Sequence, residues 1–176
     1  VVAGAALTRI APGLTAHEAW WLPDEAVLDT RLLVGAVRDA AVVAGGSFRT
    51  GVSVMGVEPS AVRLAGGDRV DGVTVVCAGA WTAAVGGLGG LPVRPVRGQL
   101  AALADIETTT AVVFGPAGYL VPRRDELVVG ATMEEVAFRR GVTAGGVRHV
   151  LDHAIGLAPK LAAAELLRSW SSFRPG

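Results

Sequence analysis

The stretch Gly118–Glu135 constrains this chain more than any other. It reads G-Y-L-V-P-R-R-D-E-L-V-V-G-A-T-M-E-E, the pattern of a β-hairpin. Side chains alternate along a strand, so Tyr119, Val121 and Arg123 point one way and Leu120 and Pro122 the other. Arg124–Glu126 forms a short polar turn, and Leu127–Ala131 a second apolar strand. On pattern alone this is a hairpin in a sheet, and Tyr119 merely packs there.

With 176 residues the chain has room for one ordinary domain or pieces of two. Apolar residues make up 51% and charged residues 18%, a balance that builds a sizeable core and excludes a disordered chain. Sixteen basic and sixteen acidic residues cancel, and the Arg residues are scattered, so there is no nucleic-acid footprint. Cys77 is alone, which rules out an internal disulfide framework and fits a reducing cytoplasm. No signal-peptide pattern opens the chain, which starts at Val1 and stops in mid-motif at Arg174-Pro175-Gly176. The expectation is a fragment lacking both ends. Gly72–Val93 has no charged residue and raises the question of a membrane span. Its six Gly and Pro92 favour a buried strand running into a Gly-rich loop, and no stable membrane insertion is expected.

Taken in order, Val1–Leu7 reads as the tail of an apolar helix. His17–Asp24 reads as a short strand leading to a turn, with Trp20 and Trp21 on opposite faces and at least one of them buried. A helix is expected from about Thr30, capped by Asp29 or Thr30. Its apolar period runs through Leu33, Ala36, Val37, Ala40, Ala41 and Ala44, and Gly45-Gly46 ends it. Phe48–Val57, Ala61–Leu64 and Gly72–Ala78 read as strands, with a turn at Gly66-Gly67-Asp68. Gly86–Gly90 reads as a linker. Val93–Leu103, Thr110–Phe114, Gly118–Arg123 and Leu127–Ala131 then suggest a mostly antiparallel sheet. A second helix starts at Thr143, carries Val147, Val150, Leu151, Ala154, Ile155 and Ala158 on one face, and stops at Pro159. Ala164–Ser172 is a last strand or helix-to-strand segment carrying Trp170.

Few motifs carry chemistry on their own. His149 and His153 have a metal-ligating spacing, but they lie opposite the apolar stripe with no third ligand motif, so they read as two solvated histidines. Cys77 lies in an apolar strand with no neighbouring cation and reads as core filler. No G-x-G-x-x-G or Walker loop is present. Val73–Trp81 (V-T-V-V-C-A-G-A-W) ends in small residues that would let a ligand approach a strand's carboxyl end, so it is either core or a ligand edge. Leu91–Leu100 holds two Pro and a Gly, which disfavours a central strand and suggests an edge or crossover.

Several of these segments share one resemblance. Y-L-V-P-R-x-D-x-L-V-V-G-A-T-x-E in the hairpin, P-V-R-G-Q at Pro95–Gln99, V-V-C-A-G-A-W at Val75–Trp81 and W-S-S-F-R-P-G at Trp170–Gly176 are involved. Together they resemble the flavin-dependent glycine oxidases of the thiamine-biosynthetic type, in the D-amino-acid oxidase superfamily. The resemblance runs from about Leu14 to Gly176. It implies FAD as cofactor, with Ala78, Gly79 and Trp81 lying against it and the backbone of Val54 meeting the adenine. It also implies that Arg174 forms a two-pronged salt bridge with a substrate carboxylate, a task suited to a planar, permanently charged guanidinium. Tyr119 would help hold that carboxylate and Met133 would line the pocket. Arg97 is expected to bridge domains rather than bind substrate. Ser172-Phe173 replaces the family's Gly-Leu, and Asp29-Thr30-Arg31 its D-P-R.

The expected fold is therefore a partial α/β FAD-binding (Rossmann-like) domain with an α+β substrate domain built on a mostly antiparallel sheet. The first is expected over residues 27–90 and the second over 1–26 and 91–172, with 173–176 returning toward the FAD domain. The resemblance implies oxidative deamination of glycine or a similar small amino acid with O2 as the acceptor, no protein group acting as strong acid or base, and a homo-oligomer in the full-length form. Sarcosine, proline or D-amino acids are alternative substrates, and a truncated, non-catalytic chain is an alternative of another class.

Overall fold

The computed structural model describes residues 1–104 and 107–176. In chain order the elements are β1 (Val2–Ala3), α1 (Gly4–Ile10), β2 (Glu18–Ala19), α2 (Thr30–Val43), β3 (Val54–Glu58), β4 (Ala61–Leu64), β5 (Arg69–Asp71), β6 (Pro95–Leu103), β7 (Val113–Gly115), β8 (Gly118–Pro122), β9 (Leu127–Gly130), α3 (Ala144–Leu157) and β10 (Leu166–Pro175). Short 3₁₀ turns lie at Gly79–Ala84 and Pro159–Ala163. The chain divides into two compact units, one formed by Val1–Leu22 with Val93–Gly176 and the other by Pro23–Pro92.

The first unit is built on an antiparallel five-stranded sheet in the order β10-β6-β9-β8-β7. The hairpin is its centre. Tyr119 pairs with Gly130 and Leu120 with Val129, and Arg123 N donates to Glu126 O at 2.8 Å to close the turn. Alternation then sorts the two faces. Ala101, Leu103, Leu120, Leu127 and Val129 lie under α3 and bury with Val150, Ala154, Ala158 and Leu161. A buried Leu contributes on the order of 2 kcal/mol, so this row is what holds helix to sheet. α3 begins where Thr143 accepts a hydrogen bond from Gly146 N at 3.1 Å, and its regular turns end just before Pro159.

Phe173, Arg174 and Pro175 continue β10 in register with Arg97, Val96 and Pro95. β6 therefore lies inside the sheet and is not an edge, while the chain passes from the second unit to the first just before it, between Pro92 and Val93. Pro95 is its first residue, where a missing N–H does no harm to the ladder.

The second unit holds α2 and the antiparallel sheet β3-β4-β5. Asp29 caps α2 by accepting from Arg31 N at 2.9 Å and Leu32 N at 3.3 Å. The helix is as long as its period predicts, but none of its residues is buried. Gly72–Ala78 is not the buried strand expected. It is irregular, with Val73 98% exposed and Cys77 exposed as well, so Cys77 is not core filler. A strand needs ladder partners for its backbone, and no described strand pairs with this segment. The only parallel contact among the described residues is the isolated bridge Gly56↔Gly86, so the sheets seen are antiparallel. Gly86 also accepts from Val57 N at 2.8 Å and donates to Met55 O at 3.1 Å, which places it under β3 rather than in a loose linker.

In the first unit Trp20 is 83% and Trp21 42% exposed, so neither is buried. β2 spans only Glu18–Ala19 and ends before them, leaving no strand to turn one indole inward. No helix among the described residues is long and apolar enough to cross a membrane.

Candidate functional site

The face of the five-stranded sheet turned away from α3 carries the candidate substrate residues. Cross-strand partners share a face, and one row runs Phe114–Tyr119–Gly130–Leu100–Trp170 across all five strands. Gly130 has no side chain between Leu100 and Tyr119. A Cβ there would sit 3.2 Å from the Tyr119 hydroxyl and 3.0 Å from Leu100 Cγ. Phe114 meets the Tyr119 ring edge-on, with centroids 6.0 Å apart.

Arg174 stands on the same face, two strand positions beyond Ser172, which pairs with Gly98. Its guanidinium folds back over Gly98, where a Cβ would lie 2.8 Å from Nη2. That Nη2 donates to Thr132 O at 2.8 Å. The other guanidinium N–H groups have no described side-chain or backbone acceptor, and a guanidinium carries five in a fixed fork. Burial pushes the Tyr119 phenol up from its ordinary value of 10.0, and the positive charge of Arg174 pulls it partly back. Tyr119 and Arg174 are thus brought together. Met133 is close in sequence to the Thr132 carbonyl and is 77% exposed.

Behind this face is a polar cluster that motif reading passes over. Gln99 N donates to Thr132 Oγ1 at 2.9 Å, and Gln99 Nε2 donates to Glu134 Oε1 at 2.6 Å. Gln99 Oε1 accepts from Thr143 N at 2.7 Å. Arg97, only 4% exposed, donates through Nε to Glu134 Oε2 at 2.6 Å and forms a second, shorter bond to it through Nη2. It also donates to Arg139 O at 3.2 Å and Gly141 O at 3.4 Å. All these partners belong to the first unit. Arg97 therefore ties β6 to the segment after β9, and the expectation that it bridges domains is corrected. Burial raises the Glu134 carboxyl, but hydrogen bonds from Arg97, Gln99 and Thr132 and the Arg97 charge outweigh it and hold Glu134 below the usual range.

The candidate cofactor residues lie in the second unit. Val54 opens β3 and is 41% exposed. Ala78 caps the 3₁₀ turn, accepting from Trp81 N at 2.9 Å, and Gly79 takes φ +52, a conformation glycine adopts without a Cβ clash. Trp81 is 41% exposed. Gly86, two residues past the turn, is what joins this segment to β3. These residues offer an uncharged surface, the small Ala78 and Gly79 beside the exposed Val54 and Trp81 side chains, that suits the flat rings of FAD. Nothing in them answers its phosphates.

The two histidines are not alike. His149 is exposed, but His153 packs on the glycines flanking the β7–β8 turn, and its Nε2 is buried without a hydrogen-bond partner. It is not the solvated residue expected, because the β7–β8 turn folds over that side of α3. No group of three or more His, Cys, Asp or Glu among the described residues could hold a metal.

The model of the FAD-dependent oxidoreductase family known as DAO matches residues 1–176. The chain belongs to that family. The bifunctional protein ThiO/ThiG of Synechocystis sp. is 38% identical over 169 residues, covering 89% of this chain and 25% of that protein. The glycine oxidase of Geobacillus kaustophilus is 31% identical over 166 residues, covering 89% of this chain and 44% of that protein. The crystal structure of the Geobacillus kaustophilus glycine oxidase superposes with a TM-score of 0.86 at 29% identity, over 97% of this chain and 49% of that one. Iminodiacetate oxidase from Chelativorans sp. BNC1 also gives 0.86, at 33% identity over 99% of this chain and 51% of that one. The DAO-family fold seen here is therefore part of a glycine oxidase-like fold, and the chain spans between about a quarter and about half of the length of these relatives.

Sequence reading missed Gly98, Thr132, Gln99 and Glu134. The signal was present, since P-V-R-G-Q and G-A-T-x-E contain all four. What no motif reveals is that the two segments meet.

Proposed function

We propose that the intact protein is an FAD-dependent oxidase of glycine or a similar small amino acid. The balanced reaction converts amino acid, water and O2 to oxo acid, ammonia and H2O2. The proposal rests on one observation: Arg174 and Tyr119 lie together on an open sheet face kept low by Gly98 and Gly130. In this reading the first unit is the substrate domain and the second contributes to the FAD domain, with Val54, Ala78, Gly79 and Trp81 against the cofactor. FAD, when bound, supplies the two-electron acceptor for the α C–H bond.

The protein's own residues bind and orient. The unoccupied edge of the Arg174 fork takes both oxygens of the substrate carboxylate. Tyr119, neutral at physiological pH, donates its O–H to the same group. Met133 borders the space for the amine substituent. Holding the carboxylate at two points fixes the α-carbon, and that positioning is where the rate is gained. A link to thiamine biosynthesis belongs to the same proposal and is supported by the likeness to the bifunctional protein ThiO/ThiG.

In the intact protein, Arg174→Ala should raise KM for glycine about a hundredfold while the flavin stays bound. Unchanged glycine kinetics would refute the assignment. A second reading, oxidation of a secondary amine such as sarcosine, draws on the equal structural likeness to iminodiacetate oxidase. H2O2 release from sarcosine with none from glycine would select it.

A further inference from the structure

The guanidinium of Arg174 is held by one hydrogen bond to a carbonyl, and that carbonyl belongs to a residue whose own placement is unusually well determined. Thr132 is 6% exposed. Its N–H donates to Gln99 O at 3.2 Å and its Oγ1 accepts from Gln99 N at 2.9 Å. The Thr132 side chain also helps hold the neighbouring Glu134 carboxyl below its usual range. Glu134 is in turn fixed by Arg97 and by Gln99 Nε2. Thr132 is thus tied to β6 through Gln99, whose side chain in turn reaches Glu134 and the cap of α3. On its outer side the Thr132 carbonyl points at Arg174, and beneath the guanidinium there is only the bare backbone of Gly98.

We propose that Thr132 and Gly98 are positioning residues for Arg174, Thr132 aiming the fork through its carbonyl and Gly98 keeping open the space into which it lies. Neither residue touches substrate in this scheme. The inference rests on the carboxylate-binding role of Arg174 proposed above, and it adds what sets the direction of that side chain. An arginine on an exposed strand face has several rotamers to choose from. Here one N–H is committed to Thr132 O and the remaining ones are left facing outward as a set, so binding loses less side-chain freedom. The cluster behind Thr132 is consistent with such a duty, because a buried polar network that is fully satisfied is rigid.

The two positions give different perturbations. Thr132→Val keeps the shape and removes the hydroxyl, which frees the peptide to shift. Thr132→Ser restores the hydroxyl. Gly98→Ala introduces a methyl group whose nearest neighbour is the flexible end of Arg174, so the fold should tolerate it while the guanidinium moves. The test is made in the intact protein, with two readouts. The first is steady-state kinetics with glycine and sarcosine. The second is the ultraviolet titration of Tyr119, isolated as the difference from the Tyr119→Phe protein.

We expect Thr132→Val and Gly98→Ala each to raise KM about tenfold with kcat little changed. Both should also move the Tyr119 midpoint upward, because the cation that favours the phenolate has turned away. Thr132→Ser should stay close to the parent in both respects. Folded Thr132→Val and Gly98→Ala proteins with parental KM and parental Tyr119 midpoint would overturn the proposal. If Arg174→Ala leaves KM unchanged, the carboxylate reading fails. The titration then still tells whether Thr132 and Gly98 aim the guanidinium, since it needs no substrate.

Discussion

Tyr119 and Arg174 act on each other before any ligand arrives. Half-burial on the sheet face makes the phenolate costly, and the Arg174 charge offsets part of that cost. Tyr119 is the only Tyr in this sequence, so phenolate absorbance from the chain reads a single group. Its midpoint should fall above 10, and Arg174→Ala should raise it further. The sign for stability follows directly. A folded-state value raised above the unfolded one gives a contribution fully present below about pH 10 and lost as the pH climbs through the folded value. Tyr119→Phe should therefore remove part of the alkaline loss of stability. A midpoint at or below 10 would show that the phenol is not desolvated. At this scale the sequence supplied Tyr119 and Arg174 only through resemblance. Alternation puts Tyr119 on a face, but nothing local tells which face is open, and a lone Arg before Pro carries no signal of a site by itself.

At the scale of elements, the segments that were legible are those whose signals are local. The hairpin, the Asp29 cap, the helix start at Thr143 and the Pro159 stop all act within a few residues, and all appear where the sequence puts them to within a residue. The failures are segments whose state depends on distant partners. Gly72–Ala78 has the composition of a buried strand but no neighbour among the described residues to make it one. β6 carries two of the breakers that argued against a central strand, yet it is interior, because Pro95 occupies its first position and Gly98 serves Arg174. The joint between β6 and the segment after β9 makes its own prediction. Glu134 sits below the usual carboxylate range, so its contribution is present above about pH 4.3 and is lost as the pH falls through the folded value. Glu134→Gln leaves Arg97, whose side chain is 5% exposed, without its counter-charge. The cost near neutral pH should be about 3 kcal/mol, the low end for a broken buried pair because Glu134 is partly solvated. The variant should also show a flatter loss of stability on acidification from pH 6 to 3. Equal melting temperatures for parent and variant at pH 7 would show that the pair contributes nothing.

Across the whole molecule the two units differ in what they possess. The first has a closed core under α3 and a polar cluster that holds a candidate binding face in place. The second has a three-stranded antiparallel sheet, a capped helix with no buried residue, and an exposed Val-rich segment. Dinucleotide affinity comes largely from phosphates seated on a glycine-rich turn and a helix N-terminus, where backbone N–H groups converge. No G-x-G-x-x-G occurs in these 176 residues, and none of Val54, Ala78, Gly79 and Trp81 carries a charged side chain to meet a phosphate. Apolar contact with flat rings gives some affinity but leaves the pyrophosphate in competition with water. The 176-residue chain, purified by itself and mixed with FAD, should thus emerge from gel filtration colourless, while the intact protein carries a visible flavin band. A stoichiometric yellow complex from the short chain would mean that Pro23–Pro92 holds the cofactor without the fingerprint. The phosphates would then have to be met by backbone groups of this unit, and the exposed segment before Ala78 would be the first place to look for them.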